Sequence, residues 1–393
     1  MAKKSVYFMT VAALAAFTWP ALSTAKSYDD GDVTKFAQVQ SPNLTSAVNF
    51  DRFIPRPGNK SLRMDYSIWD EALNDVILDL GPSTRNRATR PQAQVGTRMV
   101  LGHKSQYRLE GTRFTFAYLN DEFKAGLTTY REDLERIASD YDITTFSRAE
   151  QLAYWFNLHN VAMIEQIAHA YPVDSPKRIK IRVDGKKVPL DEARFLNIQG
   201  QKLSLKDIRT EIVYKNWNNP DVIYGFFHGD IGSPALQRYA FTASDTDLML
   251  SQNADDFVNS LRGFNLGSKT RNVSAIYKEA EPYFFKNWDN DLQRHLLQHA
   301  NEDVTQEVLT GKRFAIDRYD STIGDLSGGR RLASSGIAST QNGSVPFEVA
   351  RLLTEVRDKK QYLRRRGLLN TNRGFVIIED LVPESTQGTT PNP

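Results

Sequence analysis

Apolar residues recur with helical spacing in several stretches of the chain. In residues 67–80, Trp69, Leu73, Val76, Ile77 and Leu80 fall on one face, which predicts a helix. Ser67 and Asp70 have the spacing of a capping box at its start, and Gly81-Pro82 is a stop signal. Residues 82–97, rich in Arg, Thr, Pro and Gln, are expected to form a loop.

Two longer helices are predicted next, over residues 118–138 and 148–171. The second starts with a capping-box pair, Ser147 and Glu150. Its apolar residues lie nearly all round the helix, which is typical of a central, buried position. Further helices are predicted from residue 203 through 207, over 245–262, over 282–300 and over 347–365.

Strand signals are fewer. Ile179, Ile181 and Val183 alternate up to Asp184-Gly185, and apolar positions resume beyond it, which predicts a β-hairpin. Residues 222–227 form a short apolar run and predict a buried strand, and residues 375–378 predict another. Residues 317–344 are rich in Gly and Ser without a steady period, and a mobile loop is expected there.

The N-terminus has the layout of a secretory signal peptide over residues 1–25. Lys3 and Lys4 precede an apolar stretch over residues 6–22, and small residues at 23–25 fit a cleavage site before Lys26. A retained N-terminal anchor is the alternative. Cleavage predicts a periplasmic or secreted protein, with residues 26–60 as an extended lead-in.

The composition of the chain limits the classes of function that it could have. The 393 residues are 40% hydrophobic and carry a formal net charge of +3, which fits a sizeable core and does not indicate a nucleic-acid partner. No second apolar run is long enough to span a membrane, so no integral membrane segment is expected after cleavage. The chain has no cysteine, which excludes disulfides, thiolate catalysis and cysteine-based metal sites.

Asn157 and Asn160 are polar residues on the apolar central helix, three positions apart on one face. One interpretation is structural, with the amides bonded to the backbone of a neighbouring element. The alternative is functional, with the amides orienting a catalytic group or lining a cleft.

The loop from His228 to Ser233 follows the apolar run and carries Gly229 and Gly232. His228 has the chemistry of a base and Ser233 that of a nucleophile. The alternative is a structural turn, because His-Gly and Ser-Pro pairs are common in loops. His159 and Asp230, which lie beside these candidates in sequence, are predicted binding residues.

His295 and His299 are four residues apart and share a helix face, which suits two metal ligands. No third ligand is visible nearby in sequence, so a solvated helix face is the favoured interpretation. No metal and no cofactor are therefore predicted.

Four segments, in order, resemble one known family. Residues 154–164 (Y-W-F-N-L-H-N-V-A-M-I) resemble F-W-I-N-x-Y-N-A, and residues 203–208 (L-S-L-K-D-I) resemble L-S-L-D-D-I. Residues 219–222 (N-P-D-V) resemble D-P-R-I, and residues 228–234 (H-G-D-I-G-S-P) align to C-G-S-x-S-C-P. These are elements of the domain of unknown function 547 family, and they span about residues 110–290.

The departures from that family's pattern fall on its reactive positions. His228 and Ser233 replace the two cysteines, and Arg209-Thr210 stand where Glu-His is frequent. Asp221 replaces the Arg of D-P-R-I, and Ile223 the following His. The resemblance implies a fold like that of papain-like or transglutaminase-like cysteine hydrolases, whereas the changed residues argue against cysteine chemistry.

Together these features predict a helix-rich α+β fold with a small β-sheet. The family-like domain is placed at residues 61–300, with its core at 110–290, and a C-terminal extension at 301–393. The leading function is a non-catalytic binding protein with an envelope protein or polymer as partner. The alternative is a serine hydrolase or acyl transferase using Ser233 and His228, oriented by Asn157 or Asn160. A purely structural envelope protein is a third class. Oligomeric state is left open.

Overall fold

The computed structural model describes residues 48–369, except positions 57, 59–61, 93–99, 101, 318, 331–336, 341 and 342. At 337–340, 343–345, 347 and 348 only the backbone is described. The predicted signal peptide, the lead-in before residue 48 and the predicted strand at 375–378 lie outside the described residues.

The fold is α+β and helix-rich, as predicted, with small separate sheets. The α-helices are α1 Ser67–Val76, α2 Asp121–Asp140, α3 Arg148–Ala170, α4 Leu205–Asp207, α5 Tyr214–Asn216, α6 Thr246–Val258, α7 Ala275–Phe284, α8 Trp288–His299, α9 Glu302–Val308 and α10 Phe347–Arg365. A π-helix, Ile208–Val213, joins α4 to α5. Short 3₁₀ helices are Phe50–Phe53, Phe116–Tyr118, Ile143–Thr145, Pro176–Arg178, Leu190–Glu192 and Pro220–Gly225.

The strands pair mostly as local hairpins. They are β1 Ile77–Asp79, β2 Thr112–Phe114, β3 Lys180–Val183, β4 Lys186–Pro189, β5 Leu196–Ile198, β6 Gln201–Leu203, β7 Phe264–Leu266, β8 Arg271–Val273, β9 Phe314–Ile316, β10 Ile337–Thr340 and β11 Gly343–Pro346. Antiparallel pairs are β1–β2, β3–β4, β5–β6, β7–β8 and β10–β11. In the sheet β7–β8–β9, the β8–β9 pair is parallel.

The central helix α3 lies where the sequence predicted it. Ser147 caps it by accepting a hydrogen bond from the Glu150 N–H at 3.2 Å. The reciprocal half of the capping box is absent here, because the Glu150 carboxylate accepts from the Met64 N–H instead. Residues 150–165 of α3 are buried on every side, which explains why its apolar residues show no single face.

The hairpin at Asp184-Gly185 is confirmed. β3 and β4 pair from Lys180–Pro189 to Val183–Lys186. Both turn residues have positive φ, 47° and 78°, which is the backbone that an Asp-Gly pair adopts in a tight hairpin. The predicted helix Phe347–Arg365 is also confirmed, as α10.

Several predicted boundaries are wrong. Helix α1 ends at Val76, because Ile77–Asp79 pairs with Thr112–Phe114, a partner distant in sequence. Ser67 is not the cap of α1; its N–H donates to Asp65. The next helix begins at Asp121, after the cap Asn120, rather than at residue 118.

Residues 220–225 form a 3₁₀ helix, so the predicted buried strand over 222–227 is wrong. Pro220 occupies the start of this helix, and the Asn219 side chain accepts from the Asp221 N–H at 3.0 Å. Val222, Ile223 and Tyr224 are all buried. A short run that is buried all round has no period to distinguish helix from strand.

The predicted helix over 282–300 is two helices. Helix α7 contains Pro282 and ends at Phe284, and α8 begins at Trp288. The aromatic side chains on both sides of the break belong to one core, so the apolar pattern continues through it. The helix predicted over 245–262 is shorter, Thr246–Val258.

Two described stretches differ from their predictions: the end of the lead-in, from residue 48, and residues 319–330 of the Gly- and Ser-rich segment. Phe53 lies in the core, edge-on to Trp155 with ring centroids 5.5 Å apart. Residues 319–330, expected to be part of a mobile loop, bridge to other elements at Asp230–Ile323 and Phe114–Asp325. Leu326 then joins a small second core formed with Leu80, Val349, Leu352 and Val356 of the neighbouring elements.

Within the described residues, no helix combines enough length with enough apolar character to cross a membrane.

Candidate binding site

The loop from His228 to Ser233 packs directly on α3. Gly229 has φ +80°, and a Cβ atom added there would lie 2.3 Å from Ile167 Cδ1. A larger residue would therefore clash with α3 as well as strain the backbone. This contact fixes the start of the loop.

Ser233 is buried and makes hydrogen bonds within the loop. Its hydroxyl is fully buried and donates to the Asp230 carbonyl oxygen at 2.8 Å. It accepts from the His228 backbone N–H at 3.3 Å. The His228 ring makes no hydrogen bond with any described residue, so the structure does not join the predicted base to the predicted nucleophile.

Asp230, predicted as a binding residue, is also buried in the loop. Its Oδ1 accepts from the Tyr319 hydroxyl at 2.7 Å and from the Ser233 N–H at 3.1 Å. Burial raises the pKa of Asp230 to about 7, although the Tyr319 hydrogen bond acts in the opposite direction. The carboxyl group ties the loop to residue 319 and does not reach solvent.

Asn157 and Asn160 each bond to backbone in two directions. Asn157 Nδ2 donates to the Phe241 carbonyl at 2.7 Å, and Asn157 Oδ1 accepts from the Phe241 N–H at 3.0 Å. Asn160 Nδ2 donates to the Gly225 carbonyl at 3.0 Å, and its Oδ1 accepts from the Phe227 N–H at 2.9 Å. Both amides thus hold irregular segments against α3, which is the structural interpretation of this pair.

His159, the other predicted binding residue, is fully buried between two polar partners. Its Nδ1 lies 3.1 Å from Asn160 Oδ1, and its Nε2 lies 3.1 Å from Arg209 Nη1. A guanidinium only donates, so Nε2 accepts and the ring proton is assigned to Nδ1. Burial and the charge of Arg209 hold the pKa of His159 well below its usual range.

Arg209 is the centre of the cluster, and all five of its N–H donors have partners. Two bonds of 2.7 and 2.8 Å go to Asp191, and two of 2.7 and 3.0 Å go to Glu279. The fifth goes to His159. The guanidinium is 1% exposed, and its fork geometry suits two bidentate carboxylates.

The two carboxylates are the solvent-exposed part of the cluster. The Asp191 side chain is 41% exposed and that of Glu279 is 25% exposed. Burial alone would raise the pKa of each carboxyl group, but the charge of Arg209 outweighs it and lowers both. Two negative charges and one positive charge leave the cluster with one net negative charge.

His228 lies beside this cluster. Its ring is half-buried, with its centroid 6.4 Å from that of His159. Burial, followed by the charge of Arg209, lowers the pKa of His228 to about 4. The imidazole is therefore neutral at pH 7, with one donor and one acceptor nitrogen. We call His228, Asp191 and Glu279 the His228 surface.

Residues 143–258 match the family described as protein of unknown function, DUF547. The chain carries a DUF547 domain. The match covers α3, Arg209 and the His228 loop, which the sequence assigned to the same family. No curated protein and no solved structure matches the chain.

The sequence did not reveal the Arg209 cluster. Arg209 stood out as a departure from the DUF547 pattern, and a buried arginine requires acidic partners. Asp191 and Glu279 lie 18 and 70 residues away from it, and no spacing rule links them. Tyr319, which anchors Asp230, lies in the segment that was expected to be a mobile loop.

The favoured interpretation of His295 and His299 as a solvated helix face is wrong. The side chains of His295 and His299 are 2% and 7% exposed. Both point inward because the 3₁₀ helix Pro220–Gly225 covers this face of α8, and Asp221 and Tyr224 contact the two rings.

Proposed function

We propose that the protein is a non-catalytic binding member of the DUF547 family, which binds a polar ligand at the His228 surface. The observation that carries the proposal is the complete pairing of Arg209 beside a half-buried imidazole that makes no hydrogen bond with any described residue. Every donor of Arg209 is already used inside the protein, so this residue holds the site in shape. Among the described residues, the polar groups left for a ligand are the His228 ring and the remaining lone pairs of the Asp191 and Glu279 oxygens, each of which already accepts from Arg209.

The buried geometry of Ser233 favours binding over hydrolysis. A serine nucleophile needs a base within hydrogen-bond reach and access to the substrate. Here the hydroxyl hydrogen is directed at the Asp230 carbonyl. Asn157 and Asn160, the predicted orienting residues, are both bonded to backbone.

The chemistry of the His228 surface suggests the class of ligand. Two partly exposed carboxylates accept hydrogen bonds, and a neutral imidazole both donates and accepts. This combination fits hydroxyl or amino groups, as carried by an envelope polymer or by a protein segment with exposed lysine or serine. The ligand would be recognised by directed hydrogen bonds more than by apolar area.

Pull-down from an envelope extract tests the binding proposal. We expect the wild-type protein to recover one specific partner, and His228→Ala to lose it because the substitution removes the imidazole of the His228 surface. His169→Ala is the matched control, since His169 is exposed at the far end of α3. Equal recovery by His228→Ala, or no recovery above background by any variant, would refute the proposal.

A serine-reactive fluorophosphonate tests the hydrolase alternative. We expect no labelling of the folded wild-type protein, because the Ser233 hydroxyl is fully buried. Labelling of the wild type that disappears in Ser233→Ala would favour the enzyme and contradict the non-catalytic proposal.

We further propose that the mature protein is periplasmic or secreted. The support is the signal-peptide pattern of residues 1–25. Mass spectrometry of the protein recovered from cell fractions should give Lys26 as the first residue. A full-length chain retained with the membrane fraction would contradict cleavage.

A further inference from the structure

Asp221, His295 and His299 meet at the interface between α8 and the 3₁₀ helix Pro220–Gly225. One ligand-type atom from each residue lies within 4.8 Å of the other two. The two histidines project from the same face of α8 because they are four residues apart. Asp221 Oδ1 is 2.9 Å from His299 Nε2 and 3.8 Å from His295 Nδ1.

The outer nitrogen of each ring is held by another residue. His299 Nδ1 is 2.9 Å from Asp255 Oδ1, and His295 Nε2 is 2.8 Å from the Tyr224 hydroxyl. The Tyr224 hydroxyl is in turn 3.1 Å from that of Tyr277. Histidines that bind metals are oriented in this way, with the non-coordinating N–H donated to an oxygen.

The inner nitrogen of His295 lacks a partner. Nδ1 is buried and makes no hydrogen bond within the described chain, although it faces Asp221. The residue itself is 3% exposed. Buried polar atoms in folded proteins are nearly always satisfied, so an unpaired one aimed at a carboxylate and a second imidazole requires an explanation.

We propose that Asp221, His295 and His299 bind one divalent transition-metal ion of the zinc class. Zinc bonds of about 2.0–2.1 Å in a tetrahedral site place neighbouring ligand atoms about 3.3 Å apart. The two distances from Asp221 Oδ1, 2.9 and 3.8 Å, lie on either side of that value. Imidazole and carboxylate ligands without sulfur select this class of ion over Ca²⁺ and Mg²⁺.

Three protein ligands leave one coordination position for water or a ligand atom. The Asp221 and Asp255 side chains are 19% and 56% exposed, which gives the ion a route from solvent. The bound ion would tie α8 to the 3₁₀ helix Pro220–Gly225, and through Asp255 to α6. Its expected effect is therefore on stability, and the site is separate from the His228 surface.

Zinc titration of the full chain tests the site. The protein carries an affinity tag without histidine and is first stripped with a chelator, and binding is followed by calorimetry and by the melting temperature. We expect one Zn²⁺ per chain and a higher melting temperature, with no effect of Mg²⁺. Co²⁺ should give visible absorption bands of a four- or five-coordinate ion.

Variants assign the ligands. His295→Gln and His299→Gln should each abolish stoichiometric binding, whereas His169→Gln, on the surface at the end of α3, should bind as the wild type does. Asp255→Asn should weaken binding roughly 10- to 100-fold, as expected for an outer partner. Asp221→Asn replaces a partly exposed carboxylate with an amide of the same size. If this variant loses metal binding while its circular dichroism spectrum is unchanged, the loss is due to the missing ligand and not to misfolding.

Two results would overturn the site. One is the absence of saturable Zn²⁺ binding by the folded wild-type chain, which would leave Asp221 and the two histidines as a hydrogen-bonded cluster only. The other is unchanged stoichiometric binding by both His295→Gln and His299→Gln.

Discussion

Asn157 exchanges two hydrogen bonds with the backbone of Phe241, donating at 2.7 Å and accepting at 3.0 Å. The amide thus completes the pairing of a peptide segment that has no strand or helix partner of its own. Buried backbone groups must be satisfied somewhere, and here a side chain of the central helix does it. Asn160 has the same role for Gly225 and Phe227.

Asn157→Leu should destabilise the protein strongly. The change keeps the number and branching of the side-chain heavy atoms but leaves the buried N–H and C=O of Phe241 without partners, which costs about 2–4 kcal/mol. The measurement is urea unfolding followed by circular dichroism. Asn290→Leu is the control, because Asn290 is exposed on α8. A similar, small decrease in the free energy of unfolding of both variants would contradict the structural role of Asn157.

Arg209→Met should be among the most destabilising changes in the site. It leaves Asp191 and Glu279 facing each other without their shared cation, and breaking a buried ion pair costs about 3–5 kcal/mol. The same unfolding measurement applies. Arg136→Met is the matched control, because Arg136 also lies between two acids, Asp133 and Asp140, but its side chain is 63% exposed. The free energy of unfolding of the control should fall by less than about 1 kcal/mol. An equal decrease in both variants would show that the burial of Arg209 does not strengthen its ion pairs.

Asp230→Asn should change how stability depends on pH. The pKa of Asp230 in the folded protein is about 7, above its ordinary value of 3.8, so the stability of the protonated form is fully present below 3.8 and is lost as pH rises from there to about 7. Asparagine keeps an acceptor for Tyr319 without this loss. The melting temperature of the variant should therefore rise relative to that of the wild type as pH increases. The corresponding difference in the free energy of unfolding should reach about 4 kcal/mol at most.

Melting curves from about pH 4 to about pH 8 measure this difference. Asp184→Asn serves as the control, because Asp184 is exposed in a hairpin turn where asparagine fits the positive φ. Parallel pH profiles for Asp230→Asn and the wild type would show that the Asp230 carboxyl group is not perturbed.

The His228 ring should stay neutral at physiological pH. Its pKa is lowered from 6.5 to about 4, so any stability that depends on the neutral ring is present above 6.5 and is lost as pH falls through 4. NMR titration of the ring protons, assigned by comparison with His228→Gln, gives the midpoint directly. A midpoint between about 6 and 7 would mean that the ring is more solvated than its position beside Arg209 implies.

Local signals allowed the sequence to predict some elements closely. Helix α3 carries a cap at Ser147, the β3–β4 hairpin carries Asp184-Gly185, and α10 has a regular apolar period, so each was predicted within a residue or two. Residues 220–225 carry no such signal, because a run buried on all sides looks the same as a helix or a strand.

The site was harder to predict because its contacts are long-range. Asn157 and Asn160 were recognised, since two amides on an apolar helix are unusual, but whether they served structure or function depended on partners 65 to 84 residues away. His295 was assigned to a solvated face because its cover, Tyr224, lies 71 residues earlier. Sequence spacing identifies residues that share a face, whereas the element that packs on that face is set by the tertiary fold.

Contacts made by residues beyond the DUF547 match, including residues 319–330, determine how long the folded unit is. Ile323 pairs with Asp230, and Tyr319 binds the same aspartate, while Glu279 supplies half of the pairing of Arg209. All three lie beyond residue 258, where the DUF547 match ends. The unit that folds is therefore longer than the unit that is recognisable by sequence similarity. A fragment cut at residues 143–258 would keep the family signature but lose half of the counter-charge of its buried arginine and one wall of its loop.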